Sequence, residues 1–147
     1  MTTTRPATAH RGQVRLESLS RYDCWQLLTE AAAQDAIARI VWSGAGGPSI
    51  VPVNYAVADG FLWFQTAPDS RLARDGCEQR VLVEIDHVDV STRMGWSVVV
   101  SGRATCLPAT EDAGLLRDLQ VWPQGSRDLL LKVEPDEVTG RRLHRLG

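Results

Sequence analysis

The dipeptide Asp59-Gly60 stands between two apolar runs, Ile50–Val57 and Phe61–Thr66, and it restricts this chain to β-architecture more than any other feature. A two-residue hairpin turn needs positive φ, which Gly accepts without steric penalty. With Asp59-Gly60 as the tip, the spacing predicts a hairpin with Asn54 opposite Gln65 and Val53 opposite Thr66. Val51, Val53, Tyr55 and Val57 then share an apolar face with Leu62 and Phe64, and Pro52, Asn54, Trp63 and Gln65 share the other. Two amides beside a proline and a large aromatic make a poor dry core. They suit a flat ligand that is apolar across its rings and carries donors and acceptors on one edge.

The remaining pattern extends the same architecture. Ser20 with Asp23 forms a capping pair that opens a helix through about Ala33, with Trp25, Leu28 and Ala32 as its buried stripe. Ala36–Trp42, Arg80–His87, Gly95–Thr105, Leu129–Val133 and Val138–Leu143 read as further strands. Pro68–Arg74 allows one or two helical turns ended by Gly76, and Glu111–Gln120 is helical up to the break at Trp122-Pro123-Gln124-Gly125. Strands do not alternate regularly with helices, which argues against a parallel doubly wound sheet. The expectation is a mainly β fold: an antiparallel barrel, closed or split, of six or seven strands with short peripheral helices. Closure removes the edges that such apolar strands would otherwise expose. At 147 residues the chain supports one domain, expected over residues 15–147, after a polar, flexible tail at residues 1–14 that lacks the apolar core of a secretion signal.

Composition excludes several function classes. The net charge is −2, and no basic run precedes Arg141-Arg142 and Arg145, which argues against a nucleic-acid partner. No apolar run approaches the ~20 residues that span a membrane. Cys24, Cys77 and Cys106 are an odd set without a Cys-x-x-Cys, as expected of reduced thiols in a cytoplasmic protein. His10, His87 and His144 lack metal-ligand spacing, so no metal site is expected. No Gly-x-Ser-x-Gly supports a nucleophilic triad. The Gly44–Gly47 run has no following Lys-Ser/Thr and reads as a plain hairpin loop. Glu84 and Asp86 share a strand face that is best read as solvated.

Two segments carry binding chemistry. Thr66-Ala67-Pro68-Asp69-Ser70-Arg71 places two hydroxyls and a guanidinium at a strand end, entering a short helix. Together with free backbone N–H groups these can cradle a phosphate; the alternative is a capped helix with Arg71 in solvent. In Gly95-Trp96-Ser97 the indole can cover a flat ligand or a partner subunit, or fill the rim of a barrel.

Taken together, Pro52-Val53-Asn54-Tyr55, the Asp59-Gly60 hairpin, Phe64-Gln65-Thr66 with Ser70-Arg71-Leu72, Val83-Glu84-Ile85-Asp86, Gly95-Trp96-Ser97 running on to Gly102, Trp122-Pro123 and Val138–Arg142 make the chain resemble the pyridoxamine 5′-phosphate oxidase-like flavoproteins. The likeness covers about Leu16 to Leu143 and is nearest to the short branch that includes nitroimidazole-resistance proteins. It implies a split β-barrel homodimer with flavin mononucleotide (FMN) at the subunit interface. It further implies a cytoplasmic oxidoreductase that transfers hydride through flavin N5 to or from a small-molecule substrate. The implied cofactor residues are Pro52, Val53 and Asn54 along the flavin ring, Gln65 beside them, Thr66, Ser70 and Arg71 on the phosphate, and Trp96 and Ser97 approaching from either subunit. Arg71 stands where lysine is common in this branch, and Asp136-Glu137 replace a Trp-Gln substrate motif of the vitamin B6 oxidases. Relatives of this kind also use the deazaflavin F420 or haem, which leaves an F420-dependent reductase and a non-catalytic flavin- or haem-binding protein as alternatives. No catalytic acid or base is assigned.

Overall fold

A computed structural model describes residues 12–108 and 129–146. In chain order the elements are β1 (Val14–Ser18), α1 (Arg21–Ala33), β2 (Ile37–Gly44), β3 (Gly47–Asn54), β4 (Ala56–Ala58), β5 (Phe61–Thr66), α2 (Arg71–Gly76), β6 (Arg80–Asp89), β7 (Met94–Pro108) and β8 (Leu129–Arg145). All strands pair antiparallel in one eight-stranded sheet of order β3-β2-β6-β7-β8-β5-β4, with β1 beside β8. The sheet curls until β3 returns against β5 without pairing to it. This is a split barrel of mainly β structure, as the patterning predicts. Val14–Ser18, a strand not among those expected from sequence, joins the sheet beside β8 with all five residues exposed. The expected helix at Glu111–Gln120 and the break at Trp122-Pro123 lie outside the described residues.

Residues of distant strands meet in the core. Ile40, Val83, Ile85, Val98, Val100, Leu62, Phe64, Leu131 and Val133 are all fully buried. Helix α1 closes one end of the barrel. The Ser20 hydroxyl accepts from the Asp23 N–H at 3.1 Å and caps the helix as expected. Its fully buried stripe is Cys24 and Leu28; Trp25 and Ala32 are only half-buried. Tyr55 ties the helix to the sheet, its buried hydroxyl donating to the Leu28 carbonyl at 2.7 Å. Burial pushes the Tyr55 phenol pKa upward, so the donor stays protonated. Replacing Tyr55 by Phe should lower stability by about 1 kcal/mol, read as the shift of the urea midpoint.

The structure corrects the hairpin register. Asp59 (φ 55°) and Gly60 (φ 78°) both adopt positive φ, and Ala58↔Phe61, Val57↔Leu62 and Ala56↔Trp63 pair around them. Beyond this short ladder the strands part at Tyr55. Asn54 pairs with Ile37 and Val53 with Ala38, whereas Gln65 pairs with Leu130 and Thr66 with Leu129. Tyr55, hydrogen-bonded beneath α1, stands where the strands part, and the expected Asn54–Gln65 pair becomes the two lips of a gap.

Two further expectations change. The separate strands at Leu129–Val133 and Val138–Leu143 are one strand, β8, with a register shift where Gly102 faces Pro135 and Ser101 faces Glu137. Only glycine fits at Gly102, because a Cβ there would run into the Glu134 carbonyl. Cys77 and Cys106 are not free thiols: they form a disulfide with Cα atoms 5.5 Å apart, and among the described residues Cys24 is the free cysteine. Sequence separation hid the pair. The β6–β7 register continues past Arg80↔Arg103 through Glu78 N–H to Ala104 O at 2.9 Å, which brings the two cysteines side by side.

Candidate functional site

The split between β3 and β5 opens into a cavity of about 640 Å³, within the ~300–1,000 Å³ usual for small-molecule sites. One wall is strand β3, from Ser49 to Asn54. Because β3 pairs with β2 alone, its other backbone edge faces the gap and offers unpaired peptide groups. Val51, Pro52 and Val53 make this wall apolar. The opposite wall comes from the end of β5, where Gln65 and Thr66 point to opposite sides of the strand yet both line the cavity.

Polar groups gather where β5 runs into α2. The Thr66 and Ser70 hydroxyls lie 2.8 Å apart, and Ser70 caps α2 by accepting from the Ala73 N–H at 3.0 Å. Thr66 is 4% exposed, the one buried polar residue among the described core positions. Arg71, in the first turn of α2, is exposed at the mouth, and its Nη2 donates to the Ser49 hydroxyl over 3.4 Å. That contact is long, so the guanidinium can be drawn to a stronger anionic acceptor at little cost. The cavity is therefore apolar along one strand, amide-bearing at Asn54 and Gln65, and rich in hydroxyls and positive charge at its α2 end.

Seven of the nine residues singled out from sequence line this one cavity: Pro52, Val53, Asn54, Gln65, Thr66, Ser70 and Arg71. Trp96 and Ser97 do not. Trp96 lies on β7 opposite His87 and lines a separate cleft of about 420 Å³ under α1, with Leu27, Asp86 and Arg39. Ser97 pairs with Asp86 on one side and Arg141 on the other. Trp63, expected on the amide face, is 6% exposed and packs with Ala56 and Leu130, its indole N–H donating to the Ala58 carbonyl at 3.1 Å. The site residues read from sequence did not include Ile37, Trp42, Ser49, Ile50, Val51 and Leu72, which complete the cavity. Ile37 and Trp42 reach it because β2 pairs with β3 across the Gly44–Gly47 hairpin loop.

The Glu84 and Asp86 carboxylates lie outside this cavity and share one cation. Arg39 spans Glu84 at 3.0 Å and Asp86 at 3.4 Å across the outer face of the sheet. Burial holds the Glu84 carboxyl above its ordinary range and Asp86 adds to the effect, while Arg39 pulls the other way. Among the described residues no group of His, Cys, Asp and Glu could hold a metal ion, and no helix is long and apolar enough to cross a membrane.

A family profile described as pyridoxamine 5′-phosphate oxidase matches residues 20–142, which span both lips of the split and the whole cavity. The chain belongs to the pyridoxamine 5′-phosphate oxidase family. An uncharacterised protein of Mycobacterium tuberculosis is 36% identical over 111 residues, covering 71% of this chain and 73% of its own length. The solved structure of an FAD-binding protein from Mycobacterium smegmatis is 29% identical, covers 87% of this chain and 98% of its own, and superposes with a TM-score of 0.66. A protein of Bacteroides thetaiotaomicron, described as a candidate 5-nitroimidazole antibiotic resistance protein, shares the fold at a TM-score of 0.65. It is 15% identical and covers 91% of this chain and 94% of its own. Membership in the pyridoxamine 5′-phosphate oxidase family accounts for the split barrel, and the substrate must be sought in the cavity itself.

Proposed function

We propose that this chain is a cytoplasmic, FMN-binding oxidoreductase that acts as a homodimer on a small-molecule substrate. The observation that carries the reading is the polarity gradient of the split. An apolar strand edge with two amides leads, within one cavity, to the Thr66, Ser70 and Arg71 cluster. That gradient matches a molecule with flat rings at one end and a phosphate at the other. Val51, Pro52 and Val53 would pack against the ring system, and the β3 backbone with Asn54 and Gln65 would meet its polar edge. Arg71, Ser70 and Thr66 would hold the phosphate. A bound flavin supplies hydride transfer at N5, and the protein's share is to orient it and keep water from its apolar side.

The homodimer has its own support on the outer face of the sheet. Ile50 and Leu82 are 63% and 45% exposed, and they flank Val41 in one cross-strand row. Val88 and Leu16, at 60% and 57%, mark a second row that runs through Gly95 and Leu143. Apolar strips of this kind on a soluble domain are usually covered by another surface. Trp96 and Ser97 would then serve the cavity of the opposite subunit. Light scattering of purified protein should return twice the chain mass; a monomer would remove the shared-site part of the reading.

Absorption decides the cofactor. Purified protein, or protein incubated with FMN, should show the paired near-ultraviolet and blue bands of an oxidised flavin. A colourless preparation that binds neither FMN nor FAD would overturn the reading. FAD is a second reading, favoured by the 29% identical FAD-binding protein of Mycobacterium smegmatis. Its extra nucleotide would extend past Arg71 out of the mouth of the cavity. Comparing FMN and FAD affinities in one titration separates the two.

A further inference from the structure

We propose that Cys77 and Cys106 are a reversible thiol–disulfide couple that fixes helix α2, and with it the Ser70–Arg71 end of the cavity, against strand β7. The two ends of α2 do different work. Ser70 caps its start, and Arg71 and Leu72 of its first turn line the cavity. Cys77 is the residue that ends it, and the bridge joins Cys77 to Cys106 on β7. Six residues at ~1.5 Å rise put the bridge only about 9 Å along the axis from Arg71, so a displacement at one end reaches the other. The bridge closes a stretch of chain with a sequence separation of 29, which limits how far α2 can open.

The rest of the attachment is modest. Glu78 N–H donates to Ala104 O and Ala104 N–H donates to Gln79 O, each at 2.9 Å, just past the helix. Arg103 lies 3.6 Å from Glu78 in an exposed ion pair that adds little. Within α2, Leu72 and Gly76 are the buried residues. Reduction therefore leaves a six-residue helix held by two buried positions, a pair of backbone hydrogen bonds just past its end, and the Thr66–Ser70 and Arg71–Ser49 contacts at its start.

Cys77 and Cys106 are both half-buried at the edge of the core, whereas Cys24 is fully buried. The reductant is a dithiol. One of its thiolates attacks a bridge sulfur, forming a mixed disulfide and releasing the other cysteine as a thiolate. Its second thiol then displaces the first cysteine. Two electrons and two protons end on Cys77 and Cys106, and the reductant leaves as its own disulfide. Glutathione disulfide drives the reverse reaction. In a compartment that keeps thiols reduced, a bridge of this kind responds to redox state and is not a permanent staple.

The test uses the full chain in its oxidised form and after dithiothreitol. Alkylation under denaturing conditions should label one cysteine, Cys24, before reduction and three after it. Hydrogen exchange at the α2 amides of Ala73 and Arg74 should be about tenfold faster in the reduced protein. The double variant Cys77→Ser with Cys106→Ser should exchange at the fast rate with or without dithiothreitol. FMN affinity should fall about three- to tenfold on reduction of the wild type and not respond in the double variant. Three labelled cysteines in the oxidised sample, or α2 protection unchanged by reduction, would overturn the proposal. Failure of FMN to bind either form would instead defeat the flavin reading, because the label count and the α2 exchange decide the redox couple without any ligand.

Discussion

Replacing Arg71 by Ala should weaken the proposed FMN binding by about 1.5–3 kcal/mol, some ten- to hundredfold in Kd, with little change in folding stability. The expectation rests on where the guanidinium stands. It is exposed at the mouth of the cavity, and its hydrogen bond to Ser49 is 3.4 Å long. No buried partner is left unpaired by its removal, so the melting temperature should stay close to that of the wild type. The loss should fall on the phosphate alone: riboflavin, which lacks it, should bind wild type and variant alike. Arg71→Lys keeps the charge but loses the planar fork, and should retain part of the affinity. A titration of FMN and riboflavin against the three proteins gives the answer. Equal FMN affinity in all three would remove Arg71 from the site.

The second large effect is on stability. Phe64→Ala should destabilise the fold by about 3–5 kcal/mol, lowering the melting temperature by roughly 6–20 °C. Phe64 is among the largest fully buried side chains, and its ring centroid lies 6.5 Å from that of Tyr55. Truncation would leave a cavity between β5 and the strand that turns at Tyr55, where the barrel splits. A surface control on the same scale is Val90→Ser, at a residue 83% exposed, which should change stability by less than about 0.5 kcal/mol. Thermal melts of the two variants beside the wild type check both values. A small loss for Phe64→Ala would mean that the core beside the split can collapse around the missing ring.

The candidate site was legible in the chain to the extent that its residues are sequence neighbours. Pro52 to Asn54 and Gln65 to Arg71 could be read as two binding segments because alternation, a turn and a capping hydroxyl are short-range signals. The reason they face each other was misread. Pairing extrapolated from Asp59-Gly60 would have zipped Asn54 to Gln65 and closed the gap that forms the cavity. The two strands part at Tyr55, whose hydroxyl is bound 27 residues upstream at Leu28, with β3 paired to β2 and β5 to β8. Trp63 was misplaced by the same extrapolation, since its face of β5 is covered by Leu130 of β8. Trp96 could be placed on a strand start but not beside a ligand, because its neighbours come from α1 and β6.

By itself the sequence determined the local conformations: positive φ at Asp59 and Gly60, caps at Ser20 and Ser70, and alternation along β6 and β7. Each depends on the sterics and hydrogen bonds of a few adjacent residues, so each can be read from the letters alone. Only the tertiary structure decided that β3 stays unpaired with β5, that Cys77 meets Cys106, and that β8 is one strand through Pro135. These follow from which buried surfaces fit together across the barrel. That burial is a sum over residues far apart in the chain, and no local window contains its terms.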